Sequence, residues 1–288
     1  MTASTFADRL GAAFDTHGHL CVGIDPHEYL LAEWGLPVTA VGAHEFGLRV
    51  VEACAGRVGI VKPQVAFYER FGSTGYRVLE DVLKEARDAG LVVLADVKRG
   101  DLGSTIEAYG QAWLTPGSPL EADAMTISAF QGFGALRSPL DAAARYGKGL
   151  FVLAATSNPE ALAVQTAVIQ RETQAGKSVA GGLASRVVNW NRTHASGPIG
   201  SIGVVLGATV DFTDFGIDLA GLAEGPAAPI LAPGFGYQGA QFGDVRRLFG
   251  PAASTVIVTA SRSILASGPA SLPQAIERQK GQLAEAYA

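Results

Sequence analysis

Cysteine is scarce in this 288-residue sequence, and the features of secretion and membrane insertion are missing. The two cysteines, Cys21 and Cys54, lie among apolar residues, and neither belongs to a Cys-x-x-Cys pair. This usage favours two buried, reduced thiols over a disulfide scaffold. Residues 1–18 lack the apolar segment of a signal peptide, and no run reaches the roughly 18 apolar residues of a membrane span. We therefore expect a cytoplasmic protein with no membrane partner.

An excess of positive charge is also absent. Lysine and arginine total 22 against 27 aspartate and glutamate residues, which gives a formal charge of −5. With this balance we find no basic stretch long enough to follow a phosphate backbone, so we expect no nucleic-acid partner. A small anionic substrate remains compatible with the composition, because it requires only a local cluster of cations.

Several motifs of metal and nucleophile chemistry are missing as well. The chain contains no GxxxxGK[ST] phosphate loop and no G-x-S-x-G nucleophile elbow. His17 and His19 lie close together, but no cysteine or further histidine follows them at a familiar ligand spacing. We therefore expect no bound metal ion.

Apolar residues, by contrast, are abundant. Hydrophobic residues make up 48% of the chain and charged residues 17%, which is enough apolar material for a substantial core. Short apolar runs begin on average about every 34 residues, a pattern typical of buried parallel strands alternating with helices. The eight runs are 20–24, 59–63, 91–97, 123–128, 149–155, 201–207, 229–234 and 255–261.

The segments between these runs have helical patterns. Residues 78–90 and 135–147 carry apolar residues at helical spacing and end at glycine, and a longer helical stretch is predicted around 160–190. Eight strand–helix units predict a (β/α)8 TIM barrel, an α/β fold, formed by residues 1–288 as a single domain. The helical segment 5–16 would be an extra N-terminal helix covering one end. A doubly wound open sheet is the alternative.

Charged residues interrupt the apolar strands near their carboxyl ends. Asp25 ends the first strand, Lys62 lies on the second, and the third ends in Asp96, Lys98 and Asp101. Residues two apart on a strand share a face, so the side chains of Asp96 and Lys98 are predicted to point together into the barrel mouth. Burying a charged side chain costs free energy, so buried charges persist only where they form ion pairs or take part in function. This cluster therefore indicates catalysis.

The last two strands carry a different signal. A glycine-rich loop at 233–239 follows the seventh strand, and Arg262 follows the eighth. Loops after these two strands commonly bind phosphate in barrels of this type, through backbone N–H groups and cationic side chains. The sequence therefore predicts a phosphate group on the substrate.

These residues resemble the orotidine 5′-phosphate decarboxylase family, in its longer bacterial subgroup. The resemblance extends over nearly the whole chain and departs from the family pattern at Leu102, where isoleucine or valine is expected, and at Ser261, where glycine is frequent. The segments that carry it are VGIDP (22–26), IVKPQ (60–64), VLADVKRGDLGSTI (93–106), APGFGYQG (232–239) and TASRSI (259–264).

The resemblance implies cofactor-free decarboxylation of orotidine 5′-monophosphate to UMP, the last step of de novo UMP synthesis. Lys98 would protonate C6 of the pyrimidine, within a charged network that also contains Lys62, Asp96 and Asp101. It further implies a homodimer in which Asp101 and Thr105 reach the neighbouring subunit's site.

The resemblance also assigns the substrate contacts. Asp25 and Lys62 would bind ribose hydroxyls, Ser157 would contact the pyrimidine, and Gln238 and Arg262 would hold the phosphate. Two other readings stay open: a Mg²⁺-dependent sugar-phosphate lyase or synthase of the same superfamily, and a barrel that binds a nucleotide without catalysis. The first carries an acidic metal ligand on the second strand, where this chain has Lys62.

Overall fold

A computed structural model, which describes residues 4–171 and 173–287, places eight parallel strands in a closed barrel. Each strand pairs with the next along the chain, and β8 closes the barrel by pairing with β1 through Leu20 and Val258. The predicted (β/α)8 barrel is therefore confirmed, and the open-sheet alternative is wrong. The strands are β1 (Leu20–Ile24), β2 (Ile60–Pro63), β3 (Val92–Arg99), β4 (Ala124–Ile127), β5 (Gly149–Ala155), β6 (Ile202–Leu206), β7 (Ile230–Ala232) and β8 (Val256–Ala260).

Helices surround the barrel, and none of those described combines the length and apolar character needed to cross a bilayer. Short 3₁₀ turns supplement them at Phe133–Leu136, Pro159–Ala161, Phe242–Asp244, Gly250–Thr255 and Pro269–Ser271. The α-helices are α1 (Phe6–His17), α2 (Glu28–Glu33), α3 (Ala40–Cys54), α4 (Ala66–Glu69), α5 (Gly72–Asp88), α6 (Gly103–Leu114), α7 (Arg137–Tyr146), α8 (Leu162–Gln165), α9 (Val179–His194), α10 (Leu219–Ala223), α11 (Val245–Phe249), α12 (Arg262–Leu265) and α13 (Leu272–Tyr287).

The strands separate two apolar cores because successive side chains point to opposite faces. On β1, for example, Leu20 and Val22 pack in the layer between barrel and helices, whereas Cys21 packs inside the barrel. Both cysteines are free and buried, as the sequence predicted. Burial raises the pKa of the Cys54 thiol to about 12, so this group is inert near neutral pH.

The extra N-terminal helix, α1, closes the end of the barrel where the strands begin. Thr5 and Asp8 form a capping box that satisfies the first backbone N–H groups of the helix. Phe6, Leu10 and Phe14 are buried in the inner core, and the Phe6 ring meets Phe151 edge-on at 5.9 Å between ring centres. Full burial of each such side chain stabilises the fold by roughly 1.5–3 kcal/mol. Helix α1 therefore covers this end of the barrel, and we call it the floor of the barrel.

The long helical stretch predicted at 160–190 is wrong, because the structure divides it. Helix α8 ends at Gln165, the chain then turns back on itself with an antiparallel bridge between Val168 and Ser178, and α9 begins at Val179. Ser178 ends the turn as an N-cap, since its side chain accepts a hydrogen bond from the backbone N–H of Gly181. This serine cap interrupts the helical pattern of apolar residues, which by itself gives no sign of the break.

Candidate active site

A cavity of about 400 Å³ opens at the carboxyl ends of the strands. Every strand, or the loop that follows it, contributes to the wall, which is the usual place for chemistry in this fold. Polar and charged side chains line one part of the cavity, and apolar side chains from β5, β6 and β7 line another. The predicted residues in the wall are Asp25, Lys62, Asp96, Lys98, Ser157, Gln238 and Arg262.

Two ammonium groups flank one buried carboxylate at the centre of this wall. Lys62 Nζ lies 2.9 Å from Asp96 Oδ2, and Lys98 Nζ lies 2.6 Å from Asp96 Oδ1. Burial disfavours the charged form of Asp96, but the two lysines outweigh burial and hold its pKa well below the usual range. Burial likewise opposes the charge on Lys62, yet the carboxylates of Asp96 and Asp25 raise its pKa. Asp96 and Lys62 therefore stay ionised at neutral pH.

Lys98 is the member of the cluster that faces the open cavity. Its side chain is 46% exposed, whereas that of Lys62 is 11% exposed. The amide of Gln64, oriented to satisfy its hydrogen-bonding groups, donates to the main-chain oxygen of Asp96 at 2.6 Å and accepts from Lys98 Nζ at 3.2 Å. The ammonium of Lys98 is thus held from two sides while one side stays open to a ligand.

Asp25 lies next to this cluster at the end of β1. Its Oδ1 atom is buried and finds no hydrogen-bond partner among residues 4–171 and 173–287. A buried acceptor without a partner is costly in free energy, so this carboxylate keeps unsatisfied hydrogen-bonding capacity beside the cluster.

Arg262 and the glycine-rich loop after β7 form another part of the cavity wall. The guanidinium carbon of Arg262 lies 3.7 Å from the ring centre of Tyr237, so the arginine side chain is stacked on the loop. Gln238 lines the cavity beside it. The loop closes tightly at Gly236, which has φ +72°, and a Cβ there would lie 2.7 Å from Ser263 Oγ. The stacking places a fixed cation, the Arg262 guanidinium, in this part of the cavity wall.

Asp101 and Thr105 lie outside the cavity wall. Asp101 is half-buried after β3, where its Oδ1 accepts a hydrogen bond from the backbone N–H of Leu102 at 2.8 Å. Thr105 is exposed on the first turn of α6. Within one chain, these two residues do not join the other predicted site residues.

The sequence and the fold both have counterparts among known proteins. Residues 18–274 match the family described as Orotidine 5′-phosphate decarboxylase / HUMPS. The chain belongs to this family. It is 49% identical to the orotidine 5′-phosphate decarboxylase of Salinispora arenicola over 265 residues, which cover 92% of this chain and 91% of that protein.

Solved structures extend the similarity to the fold. A structure from Streptomyces avermitilis has a TM-score of 0.90 at 43% identity, with 99% of this chain and 97% of that chain covered. The OMP decarboxylase of Leishmania donovani has a TM-score of 0.75 at 26% identity, with 99% of this chain and all of that chain covered (100%). The resemblance inferred from the sequence is therefore confirmed.

Among the residues of the cavity wall that were not predicted in this family member are His27, Gln64, Thr126 and Tyr237. Gln64 was detectable, because it follows Lys62 by two residues and so shares its face, by the rule that linked Asp96 with Lys98. Thr126 gave no signal, since a threonine inside an apolar strand is unremarkable in sequence.

Proposed function

We propose that the chain decarboxylates orotidine 5′-monophosphate to UMP without a cofactor, in de novo pyrimidine biosynthesis. The observation that carries the proposal is that the Lys62–Asp96–Lys98 cluster and a stacked arginine line one cavity. The cluster lies on β2 and β3, whereas Gln238 and Arg262 follow β7 and β8. Membership of the family and the named relatives support the same reaction.

The proposed reaction needs a fixed cation beside C6 of the pyrimidine. When the bond between C6 and the carboxylate breaks, CO₂ leaves and its bonding electron pair remains on C6 as a carbanion that the ring delocalises poorly. The ammonium of Lys98 stabilises this charge and then gives C6 a proton, which yields UMP and a neutral lysine. Asp96, next to the substrate carboxylate, would add repulsion that is relieved as CO₂ departs.

A single charge contact is not sufficient for this chemistry. Two unit charges about 4 Å apart interact by roughly 4 kcal/mol at an effective dielectric constant of about 20. Enzymes commonly lower barriers by about 8–23 kcal/mol. Binding energy from the phosphate, remote from C6, would therefore be used to order the site around the reacting atoms.

The remaining polar groups of the cavity are assigned to substrate binding. Asp25 and Lys62, which both line the cavity, would bind the ribose hydroxyls. Ser157, in the loop after β5, would contact the pyrimidine. Gln238 and Arg262 would hold the phosphate.

We also propose that the chain is a homodimer in which Asp101 and Thr105 complete the partner's site. Two large apolar side chains lie exposed beside them: Leu102 is 61% and Phe130 is 81% exposed. The loops that carry them follow neighbouring strands, and the backbone N–H of Ser128 donates to the carbonyl of Arg99 at 2.7 Å. Asp101 and Thr105 lie outside the cavity wall of their own chain, and exposed apolar surface beside them supports a subunit interface at this edge of the cavity.

Complementation between two inactive variants tests this arrangement. In a mixed dimer, Lys98→Ala and Asp101→Ala damage the same site if Asp101 acts in trans, so one intact site per mixed dimer remains. After subunit exchange at equal concentrations, we expect about one quarter of the parent activity, because half of the dimers are mixed. The measurement is the rate of UMP formation before and after exchange.

The control for this experiment mixes Lys98→Ala with Lys62→Ala. Each of these two residues acts in the cavity of its own chain. Each site of the mixed dimer therefore carries one of the two substitutions, and no activity should return. If the Lys98→Ala and Asp101→Ala mixture is as inactive as this control, the proposed sharing of Asp101 is wrong.

The activity itself is tested by the fall in absorbance as orotidine 5′-monophosphate becomes UMP, with EDTA present. We expect full activity and one CO₂ released per UMP. Activity that disappears with EDTA and returns with Mg²⁺ would favour the Mg²⁺-dependent lyase or synthase. The positive charge of Lys62 on the second strand argues against that outcome, because it repels a Mg²⁺ ion. Binding without CO₂ release would indicate a nucleotide-binding barrel.

Two further proposals concern the chain as a whole. The closed barrel and its continuous outer core support a single domain over residues 1–288. The free buried thiols Cys21 and Cys54 support a reducing, cytoplasmic compartment.

A further inference from the structure

One buried hydroxyl group joins the two central charged residues of the cavity. Thr126, on β4, is only 2% exposed. Its Oγ1 accepts a hydrogen bond from the backbone N–H of Lys98 at 2.9 Å and donates one to Asp96 Oδ1 at 2.8 Å. The same Asp96 Oδ1 accepts from Lys98 Nζ at 2.6 Å, so the three residues form a closed ring of hydrogen bonds.

The direction of each bond in this ring is fixed by chemistry. A backbone N–H can only donate, so the Thr126 oxygen must accept from Lys98. The single hydroxyl proton is then free for Asp96, whose ionised carboxylate can only accept. A valine at this position would have nearly the same shape but could make neither bond.

The backbone of Lys98 explains why an acceptor is needed at this place. Among residues 4–171 and 173–287, Lys98 is the one non-glycine residue with a positive φ, at +47°. The pairing of β3 with β4 shifts register at the same point, from Ala95 opposite Met125 to Arg99 opposite Ile127. The backbone N–H of Lys98 therefore donates to a side chain of β4, that of Thr126, instead of to a backbone carbonyl of β4. The strained turn at Lys98 persists because this hydrogen bond holds it.

We propose that Thr126 is a positioning residue for the reaction at Lys98. Its hydroxyl fixes the left-handed turn at Lys98 and the orientation of the Asp96 carboxylate at once, which aims the ammonium at the substrate carbon. Without the hydroxyl, the Lys98 amide and Asp96 Oδ1 each lose a partner, and the turn relaxes towards an ordinary strand conformation. The inference rests on the proposed decarboxylase function.

Substitutions of matched size test this role through a split between kcat and KM. We expect Thr126→Val to lower kcat by about 10- to 100-fold, the effect of one charge-assisted hydrogen bond, with KM within about threefold of the parent. Thr126→Ser keeps the hydroxyl and should restore kcat to within about threefold. Thr255→Val removes a different buried hydroxyl, which donates to the carbonyls of Ala228 and Ala252 away from the cavity, and should leave kcat unchanged.

Amide hydrogen exchange supplies a readout that does not depend on turnover. In Thr126→Val, exchange at the Lys98 amide should become at least about tenfold faster, while that of Leu94 within β3 stays at the parent rate. Should Thr126→Val not fold, Thr126→Cys replaces it in both measurements, since a thiol is a weak donor and acceptor, and an intermediate kcat is expected.

The inference is wrong if the variant without the hydroxyl keeps kcat within about threefold of the parent, if Thr126→Ser is as slow as Thr126→Val, or if Lys98 exchange is unchanged. A parent chain that forms no UMP would refute the proposed function instead. In that case the exchange rates alone decide whether Thr126 holds the turn at Lys98.

Discussion

Lys98→Ala is expected to lower kcat by at least about 10⁴-fold while the affinity for UMP changes by less than about tenfold. The reason is that this substitution removes both the cation that stabilises the carbanion and the proton that completes the reaction. Binding should survive, because Arg262 and Gln238, the proposed phosphate ligands, are unchanged in the cavity wall. Steady-state kinetics and calorimetric titration with UMP measure the two quantities.

A second substitution at the same position separates charge from proton donation. Lys98→Arg keeps a positive charge, but the guanidinium does not release its proton in proteins, so we expect turnover nearly as low as in Lys98→Ala. The control is Lys84→Ala, which removes an exposed lysine paired with Asp88 on α5 and should leave kcat unchanged. Turnover retained in Lys98→Ala would remove Lys98 from the donor role.

Arg262→Ala is expected to lower kcat/KM by about 100- to 1,000-fold, or roughly 2.7–4 kcal/mol of transition-state stabilisation. The guanidinium is assigned to the substrate phosphate, and charge-assisted contacts of this kind are among the stronger ones in proteins. The decisive comparison uses orotidine, which lacks the phosphate. Parent and Arg262→Ala should process this nucleoside at the same low rate, because the lost contact no longer exists for either enzyme.

The chain offers a control arginine in similar surroundings. Arg137 also lies over an aromatic ring, with its guanidinium carbon 5.7 Å from the centre of Trp190, but it lies outside the cavity. Arg137→Ala should therefore leave kcat/KM unchanged. If Arg262→Ala stays within about threefold of the parent, which corresponds to only ~0.65 kcal/mol, the phosphate assignment is wrong.

The strands could be predicted from the sequence because the barrel buries both of their faces. Each strand then reads as a continuous apolar run, and eight such runs at regular spacing leave few possible folds. A charge near the carboxyl end of such a run is conspicuous for the same reason, which is how Asp25, Lys62 and Asp96 could be selected. The structure places all three in the cavity wall.

Other features of the fold and the site were harder to predict from the sequence, each for its own physical reason. Thr126 is uncharged, and its importance lies in two hydrogen bonds that depend on the shifted register of β3 and β4. The break between α8 and α9 depends on a capping serine within a helical pattern. The proposed role of Asp101 and Thr105 requires a second copy of the chain, and a residue that acts in a partner's site carries no distinctive pattern in its own sequence.

The floor of the barrel has a practical consequence for handling the enzyme. Helix α1 covers the end of the barrel opposite the cavity. An affinity tag fused before Thr5, or a surface to which that tag binds, would therefore lie at this end and leave the entrance of the cavity free for substrate. Deleting α1 would uncover an apolar ring that includes Ile60, Phe151 and Ile257. A truncated enzyme should consequently precipitate during purification, even though no residue of the cavity wall has been removed.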